Sequence, residues 1–169
     1  CADLTARDLT FADIGADLVT AAALFDLVSG DWLERLVDGL SERKVPIYSV
    51  LNYDGAAHWH PADPLDARVV AAFNRHQRGD KGFGPALGPT AAETLARLCE
   101  DRGQATWSGD SPWRLLPAHA ELIAALTDGF AAAAGEIDPA LREVLAGWVG
   151  AHTAADAVTI GHRDVFAHP

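Results

Sequence analysis

The amino-acid sequence predicts an α/β fold with a mostly parallel sheet, and three features of the sequence support this prediction. Apolar runs at 16–25 and 45–51 lack the alternation of a half-solvated strand, so they are typical of strands buried on both faces. Between them, apolar residues recur at helical spacing, as expected of a strand–helix–strand crossover. A last run at 158–166 alternates in part and closes the predicted sheet.

Helix start signals and apolar spacing place the helices of this fold. Asp31 with Glu34 resembles a capping box and starts a helix that runs to about Arg43. Asp63 caps a second helix, in which Pro64 takes the first helical position. The remaining predicted elements are loops at 55–63 and 79–89, a helix from a capping box at Thr90 to Gly103, a strand at 104–107, and two helices, one carrying Leu122 to Ala133 and one starting at Asp138.

Length and composition favour one domain spanning 1–169, with a helical insertion at about 56–89. The chain has 169 residues, of which 49% are hydrophobic and 22% charged, as is ordinary for a globular protein. The net charge of −11 argues against a nucleic-acid partner, because phosphate binding needs a basic surface. No apolar run reaches the roughly 18 residues of a membrane span, so no membrane partner is expected.

The cysteines indicate the cellular compartment of the protein, and the first residue indicates whether the chain is a fragment. Cys1 and Cys99 are too few for a disulfide framework, so we interpret them as reduced thiols of a cytoplasmic protein. Cys99 is expected to be a small buried hydrophobic residue. The sequence contains no methionine, even at position 1. Because translation starts with methionine, we expect the chain to be a fragment of a longer protein.

Several segments, taken in order, resemble the later half of class I S-adenosylmethionine-dependent methyltransferases. Residues 17–29 resemble the fourth strand and following loop of that family, and 45–52 resemble its fifth strand. Its last helix and closing pair of strands are matched by 90–103, 104–107 and 158–166. Residues 73–88 resemble a signature of a bacterial subgroup. The resemblance implies a partial Rossmann-like sheet with an antiparallel last strand and helices on both faces, and methyl transfer to a small acceptor.

The resemblance also implies which residues face the cofactor, S-adenosylmethionine. Residues 1–4 are similar to the acidic turn that contacts adenine in that family, so Asp3 would accept the adenine hydrogen bond and Leu4 would pack on the ring. Ala22 would lie near the methionine end. The family's glycine-rich loop and its ribose-binding acidic residue are absent from this sequence. The chain alone is therefore expected to be inactive, with activity residing in the parent protein.

Polar side chains follow the second predicted strand and form the first candidate acceptor site. Asn52, Tyr53 and Asp54 come where the core needs no polar groups, which favours orienting a substrate, with Tyr53 as a base for its proton. The alternative is an ordinary turn, because the residues from Tyr53 to Gly55 are typical of turns.

The densest polar and aromatic cluster forms the second candidate acceptor site. Asn74, Arg75 and His76 precede a glycine-rich loop that carries Lys81 and Phe83. The three basic side chains suit an anionic acceptor, with His76 as a catalytic group, and the glycines let the loop fold over a pocket. The alternative is a helix end whose basic residues complement the helix dipole, followed by a plain loop.

Two other functions stay open. The first is a non-catalytic binding or interaction module, which lacks the glycine-rich loop and covers its exposed strand edge in a homodimer. His58 and His60 have a spacing compatible with a metal, as in a metallohydrolase. No nearby third ligand is obvious, and His76 and Asp63 are candidates only through folding. Solvated histidines beside a half-buried Trp59 are the favoured interpretation, so no metal is expected.

Overall fold

The computed structural model describes Leu4 and residues 15–169, and within these residues it has a mixed α/β fold with an open sheet of five strands. The strands are β1 (Val19–Ala22), β2 (Ile47–His60), β3 (Ala105–Asp110), β4 (Trp113–Leu115) and β5 (Ala157–His168). The α-helices are α1 (Gly30–Arg43), α2 (Asp66–Gln77), α3 (Ala91–Asp101), α4 (Ala120–Ile137) and α5 (Arg142–His152).

The sheet combines one parallel pair with antiparallel pairs. Its strand order is β1–β2–β5–β3, and β4 also pairs with β5. β1 and β2 are parallel, with Val19 opposite Ile47 and Ala22 opposite Val50. β3 and β4 both pair with β5 in the antiparallel sense. A mostly parallel sheet is therefore not confirmed, and the continuous apolar runs that indicate parallel pairing occur only at β1 and the start of β2.

The chain divides into two compact units built from interleaved segments of sequence. The first comprises Cys1–Asp54, Arg78–Ser111 and His162–Pro169, and the second comprises Gly55–Gln77 and Pro112–Gly161. β2 and β5 each contribute residues to both units. That the chain forms one domain stays a prediction, as does the extent of the insertion.

Helices α1 and α3 supply most of the core of the first unit. The predicted helical spacing of α1 is confirmed, because its buried side chains are Trp32, Leu33, Leu36, Val37 and Leu40. They pack in one cluster with Leu95, Leu98 and Cys99 of α3 and with Val165 and Ala167 of β5. Cys99 is fully buried, as predicted, and its burial raises the pKa of its thiol to about 11.

The caps of α1 and α3 differ from the prediction. Ser29, rather than Asp31, caps α1, because its Oγ accepts a hydrogen bond from the backbone N–H of Trp32 at 3.3 Å. Asp31 lies in the first turn, where a carboxylate complements the helix dipole. The predicted capping box at Thr90 is wrong, since the Thr90 hydroxyl instead donates to the carbonyl of Leu87 at 2.9 Å.

The core of the second unit is aromatic. In this unit α2 packs against α4, and α4 against α5. The ring of Trp59 lies 5.1 Å from those of Phe130 and Trp148, in edge-to-face geometry. His152 stacks on Trp59 with its ring 5.6 Å away. A histidine in so apolar a place needs a polar partner, which Asp66 provides.

Asp66 joins the first turn of α2 to the buried end of α5. One carboxylate oxygen accepts hydrogen bonds from Trp148 Nε1 at 2.8 Å and from His152 Nε2 at 2.7 Å. The other accepts from the backbone N–H of Asp63 at 2.9 Å. Burial by itself would raise the pKa of Asp66, but these hydrogen bonds and the charge of His152 outweigh it and hold the pKa below its ordinary value of 3.8.

The main boundary error concerns β2, which continues where the sequence predicts a loop. Residues 55–60 are part of this strand, with Ala57 and Trp59 buried and His58 and His60 exposed. This alternation is a strand signal, but Gly55, which has φ 94°, masks it by looking like a turn. The short strand β4 was not predicted either.

Candidate functional site

The candidate site lies in the first unit, beyond the carboxyl ends of the parallel strands β1 and β2. The ladder between them ends at Ala22 and Val50. The next residue of each strand has a left-handed backbone, with φ 50° at Ala23 and 57° at Leu51. The backbone of both strands thus changes direction at the edge where ligands of parallel sheets usually bind. The side chains that follow these two residues define the site.

A network of hydrogen bonds holds β2 where Leu51 interrupts its regular backbone. Asp164 Oδ1, on β5, accepts from the backbone N–H of Leu51 at 3.1 Å and from Ser111 Oγ at 2.6 Å. Asn52 is fully buried, accepts from Ser49 Oγ at 3.0 Å, and donates from Nδ2 to the backbone carbonyl of Arg163 at 2.9 Å. Asn52 therefore has defined structural partners, and its contact with a substrate stays a prediction.

Tyr53 and His162 form the aromatic wall of the site. Tyr53 is only 6% exposed, and its ring lies 6.4 Å from that of His162 in edge-to-face geometry. Burial, and then the negative charge of Asp54, raises the pKa of Tyr53 well above 10, so the phenol is neutral at neutral pH. Asp54 itself is exposed. Tyr53 and Asp54 lie within β2 rather than in a turn after it, which corrects the sequence interpretation.

Asp26 provides a half-buried carboxyl group at the same edge, in the loop that follows β1. Its Oδ1 is buried and has no hydrogen-bond partner among the described residues. Burial raises the pKa of Asp26 above its ordinary value, although its own backbone N–H and the charge of His162 oppose the rise. The backbone here is fixed, since the Asp26 carbonyl accepts from Gly88 N–H at 2.9 Å. Such a carboxyl group is a functional-site signal.

Sequence reasoning missed Asp26 and His162. Asp26 carried one available signal, because it is an acidic residue directly after an apolar strand, where the core needs no charge. His162 carried none, because its contacts with Tyr53 and Asp26 join residues far apart in sequence.

The residues predicted to face the cofactor are described only in part. Asp3 lies outside the described residues. Leu4 is 39% exposed, and its carbonyl accepts a hydrogen bond from Trp32 Nε1 at 2.8 Å. Ala22 is exposed at the end of β1, next to the half-buried Ala21. The contact of Ala22 with a cofactor stays a prediction.

Asn74, Arg75 and His76 lie in the second unit, near the end of α2. Asn74 Nδ2 donates to the carbonyl of Gly55 at 2.9 Å, which ties the helix to β2. His76 Nε2 lies 3.2 Å from a carboxylate oxygen of Glu136, and Arg75 is exposed. Arg75 and His76 occupy the last turn of α2, where basic residues complement the helix dipole, as the alternative interpretation of this segment requires. Their role toward an acceptor stays a prediction.

Lys81 and Phe83 lie in the first unit, on a loop organised by Asp80. Asp80 Oδ1 accepts from the backbone N–H groups of Gly82 at 2.7 Å and Gly84 at 3.1 Å. Phe83 packs edge-to-face on Trp32 with ring centres 5.8 Å apart, so it also serves the core. Lys81 is half-buried on the same loop. The predicted acceptor residues are thus divided between the two units.

The two histidines considered as metal ligands flank the buried Trp59 on β2. His58 and His60 are both exposed, on the side of the strand opposite to Trp59. Among the described residues, no three His, Cys, Asp or Glu side chains are grouped so that they would hold a metal ion. Nor does this part of the chain contain a helix that is long and apolar enough to cross a membrane.

Comparison with known proteins adds no family assignment, since no family model and no curated protein matches the chain.

Proposed function

We propose that the protein is an S-adenosylmethionine-dependent methyltransferase acting on a small acceptor, and that this chain forms the acceptor side and later part of a Rossmann-like domain. The observation that carries the proposal is Asp26, a half-buried carboxyl group at the carboxyl edge of parallel strands, whose buried Oδ1 has no hydrogen-bond partner among the described residues. The order of segments that resembles the methyltransferase family supports the same function. The proposed Rossmann-like domain has helices on both faces of its sheet.

The chemistry requires an aligned acceptor and a destination for its proton. When bound, the cofactor would supply an electrophilic methyl group: its sulfonium–methyl bond would break as the methyl bonds to an acceptor oxygen or nitrogen, and its sulfur would leave as a neutral thioether. Asp26 takes the proton that this atom loses, because a carboxylate with a raised pKa is a better base near neutral pH than an ordinary one. Alignment contributes most of the remaining rate, since a displacement of this kind needs no covalent enzyme intermediate.

Tyr53 and His162 complete the acceptor side in this proposal. Tyr53 is neutral, so its hydroxyl donates a hydrogen bond to an acceptor oxygen rather than removing a proton. This assigns to Asp26 the role of base that the sequence alone suggests for Tyr53. The charge of His162 acts on Asp26 and favours the ionised carboxylate that a base requires.

Ala22, Asp3 and Leu4 are the residues of this chain proposed to touch the cofactor. These three residues do not supply enough contacts to bind the ribose and adenine of the cofactor, and the glycine-rich loop of the family is absent from this sequence. We therefore expect weak or no cofactor binding by this chain alone and binding by the encoded full-length protein.

The test is calorimetric titration of the full-length protein and of this chain with S-adenosylmethionine, followed by transfer of labelled methyl groups to a panel of small amines, phenols and carboxylic acids. Asp26→Asn in the full-length protein should abolish transfer and leave cofactor binding unchanged. The matched control is Asp17→Asn, an exposed carboxylate that precedes β1 at the opposite end of the strand, which should retain transfer. If the full-length protein neither binds the cofactor nor is thermally stabilised by it, the proposal fails.

A non-catalytic module that forms a homodimer is the second candidate, and exposed aromatic side chains favour it. On the sheet of the first unit, Tyr48 is 41% and Trp107 is 57% exposed, and both rings contact Phe166. Such a patch often marks an interface. Sedimentation analysis decides this case: a dimer that Trp107→Asp converts to a monomer supports the module, and a monomeric full-length protein excludes it.

A further inference from the structure

Leu51 has a backbone conformation that leucine avoids. Its φ of 57° lies in the left-handed region, which is sterically unfavourable for a residue with a side chain. It occurs inside a strand, where no turn requires it. Surrounding structure must therefore hold this residue in place.

Asp164 supplies the contact that holds Leu51. Its Oδ1 accepts the Leu51 backbone N–H at 3.1 Å, and the same oxygen accepts from Ser111 Oγ at 2.6 Å. Ser111 fixes the carboxylate in turn, because its own backbone N–H donates to the carbonyl of His162 at 2.8 Å. One carboxylate thus connects β2, β5 and the residue that follows β3.

The irregular backbone lies immediately before the buried part of the site. Leu51 is followed by Asn52 and Tyr53, which are both buried. Because a change in the backbone dihedral angles of one residue displaces the residues that follow it, the Leu51 conformation sets the course of β2 into Tyr53. The place of Tyr53 beside His162 therefore depends on the Leu51 conformation.

We infer that Asp164 is a positioning residue: by holding Leu51 in its left-handed conformation, it presents Tyr53 to the acceptor. The inference rests on the proposed function. Asp164 does not need to touch the substrate for this role, and both hydrogen bonds that its Oδ1 makes are directed at the protein.

The first test measures the kinetics of the full-length protein. Asp164→Ala should lower kcat by about 100-fold, the scale expected when a reacting group is misplaced by roughly 1 Å, with KM little changed. Asp164→Asn keeps an oxygen that accepts both hydrogen bonds, so it should retain most of kcat. The matched control is Asp110→Asn, an exposed carboxylate on β3 whose partner is Arg163.

A suppressor variant separates positioning from simple loss of stability. Leu51→Gly removes the cost of the left-handed conformation, because glycine adopts it readily. The double variant Leu51→Gly, Asp164→Ala should therefore recover most of the kcat that Asp164→Ala loses. If Asp164→Ala leaves kcat unchanged, or if the glycine gives no recovery although the variant is folded, the inference is wrong.

A second readout does not depend on catalysis. Tetranitromethane nitrates exposed tyrosines, so wild-type Tyr48 should react and Tyr53, at 6% exposure, should be protected. Asp164→Ala should expose Tyr53 to nitration, and Leu51→Gly should restore protection, with Tyr48 as the internal standard. Absence of methyl transfer in the wild type refutes the proposed function only. Unchanged protection of Tyr53 in Asp164→Ala refutes the positioning role.

Discussion

Replacing Asp66 by alanine is expected to destabilise the protein strongly through the second unit. The substitution leaves two buried donors, Trp148 Nε1 and His152 Nε2, without the acceptor that lies 2.8 and 2.7 Å from them. Each side chain is 1% exposed, so water does not replace the lost partner. A buried donor left unsatisfied costs about 1–3 kcal/mol, so the free energy of unfolding should fall by about 2–6 kcal/mol.

Urea unfolding followed by tryptophan fluorescence and by circular dichroism measures this loss. Three of the five tryptophans, Trp59, Trp113 and Trp148, lie in the second unit, so most of the fluorescence signal comes from the unit in which the change is made. Asp128→Ala, at an exposed position of α4, is the control and should change stability by less than about 0.5 kcal/mol. A loss for Asp66→Ala of under about 1 kcal/mol would refute the reasoning, because it would show that the two donors find other partners.

The same residue gives a pH dependence of defined sign. The pKa of Asp66 is lower in the folded protein than its ordinary 3.8, so its ionised form favours folding. The stabilisation is therefore complete above pH 3.8 and is lost as the pH falls through the lower, folded value. Asp66→Asn, which does not titrate, should lack this component of acid unfolding.

Three further predictions concern single residues of the first unit. Asp26→Asn should stabilise the fold increasingly as the pH rises above 3.8, because the raised pKa of Asp26 means that its ionisation opposes folding. Thermal melts at several pH values measure this effect, and the absence of a gain in stability at neutral pH would contradict it. Gln104→Met should raise the free energy of unfolding by about 1 kcal/mol, because both polar atoms of this buried side chain lack partners, and a loss in urea unfolding contradicts it. Ser29→Ala should cost about 1 kcal/mol and Asp31→Ala clearly less; equal losses would remove Ser29 as the cap of α1.

The parallel pair β1–β2 and helix α1 were predictable from local pattern. Continuous apolar residues preceded and followed a segment whose buried positions, such as Leu33 and Leu40, have helical spacing. Local signals suffice here because each element buries a face that its own residues define. The antiparallel part was less accessible, since the partners of β5 depend on residues distant in sequence.

The candidate site was only partly predictable, for a related reason. The sequence indicates Tyr53, but it does not indicate Asp164, which holds the β2 backbone at Leu51 from 113 positions away in sequence. Asp26 similarly acquires its raised pKa from burial, which no local pattern records. Gly55 led to a loop being predicted where β2 continues, because a glycine inside a strand resembles a turn. Only the alternation beyond it, with Ala57 and Trp59 buried, indicates the strand.

The interleaved order of the segments affects how the chain can fold during synthesis. The first unit includes His162–Pro169, so β3 lacks its partner strand until those residues have left the ribosome. The second unit likewise contains Gly55–Gln77, which must wait for α4 and α5. Neither unit can therefore complete its packing until its last segment has been synthesised, and before then the nascent apolar segments at β1 and β2 depend on protection from aggregation.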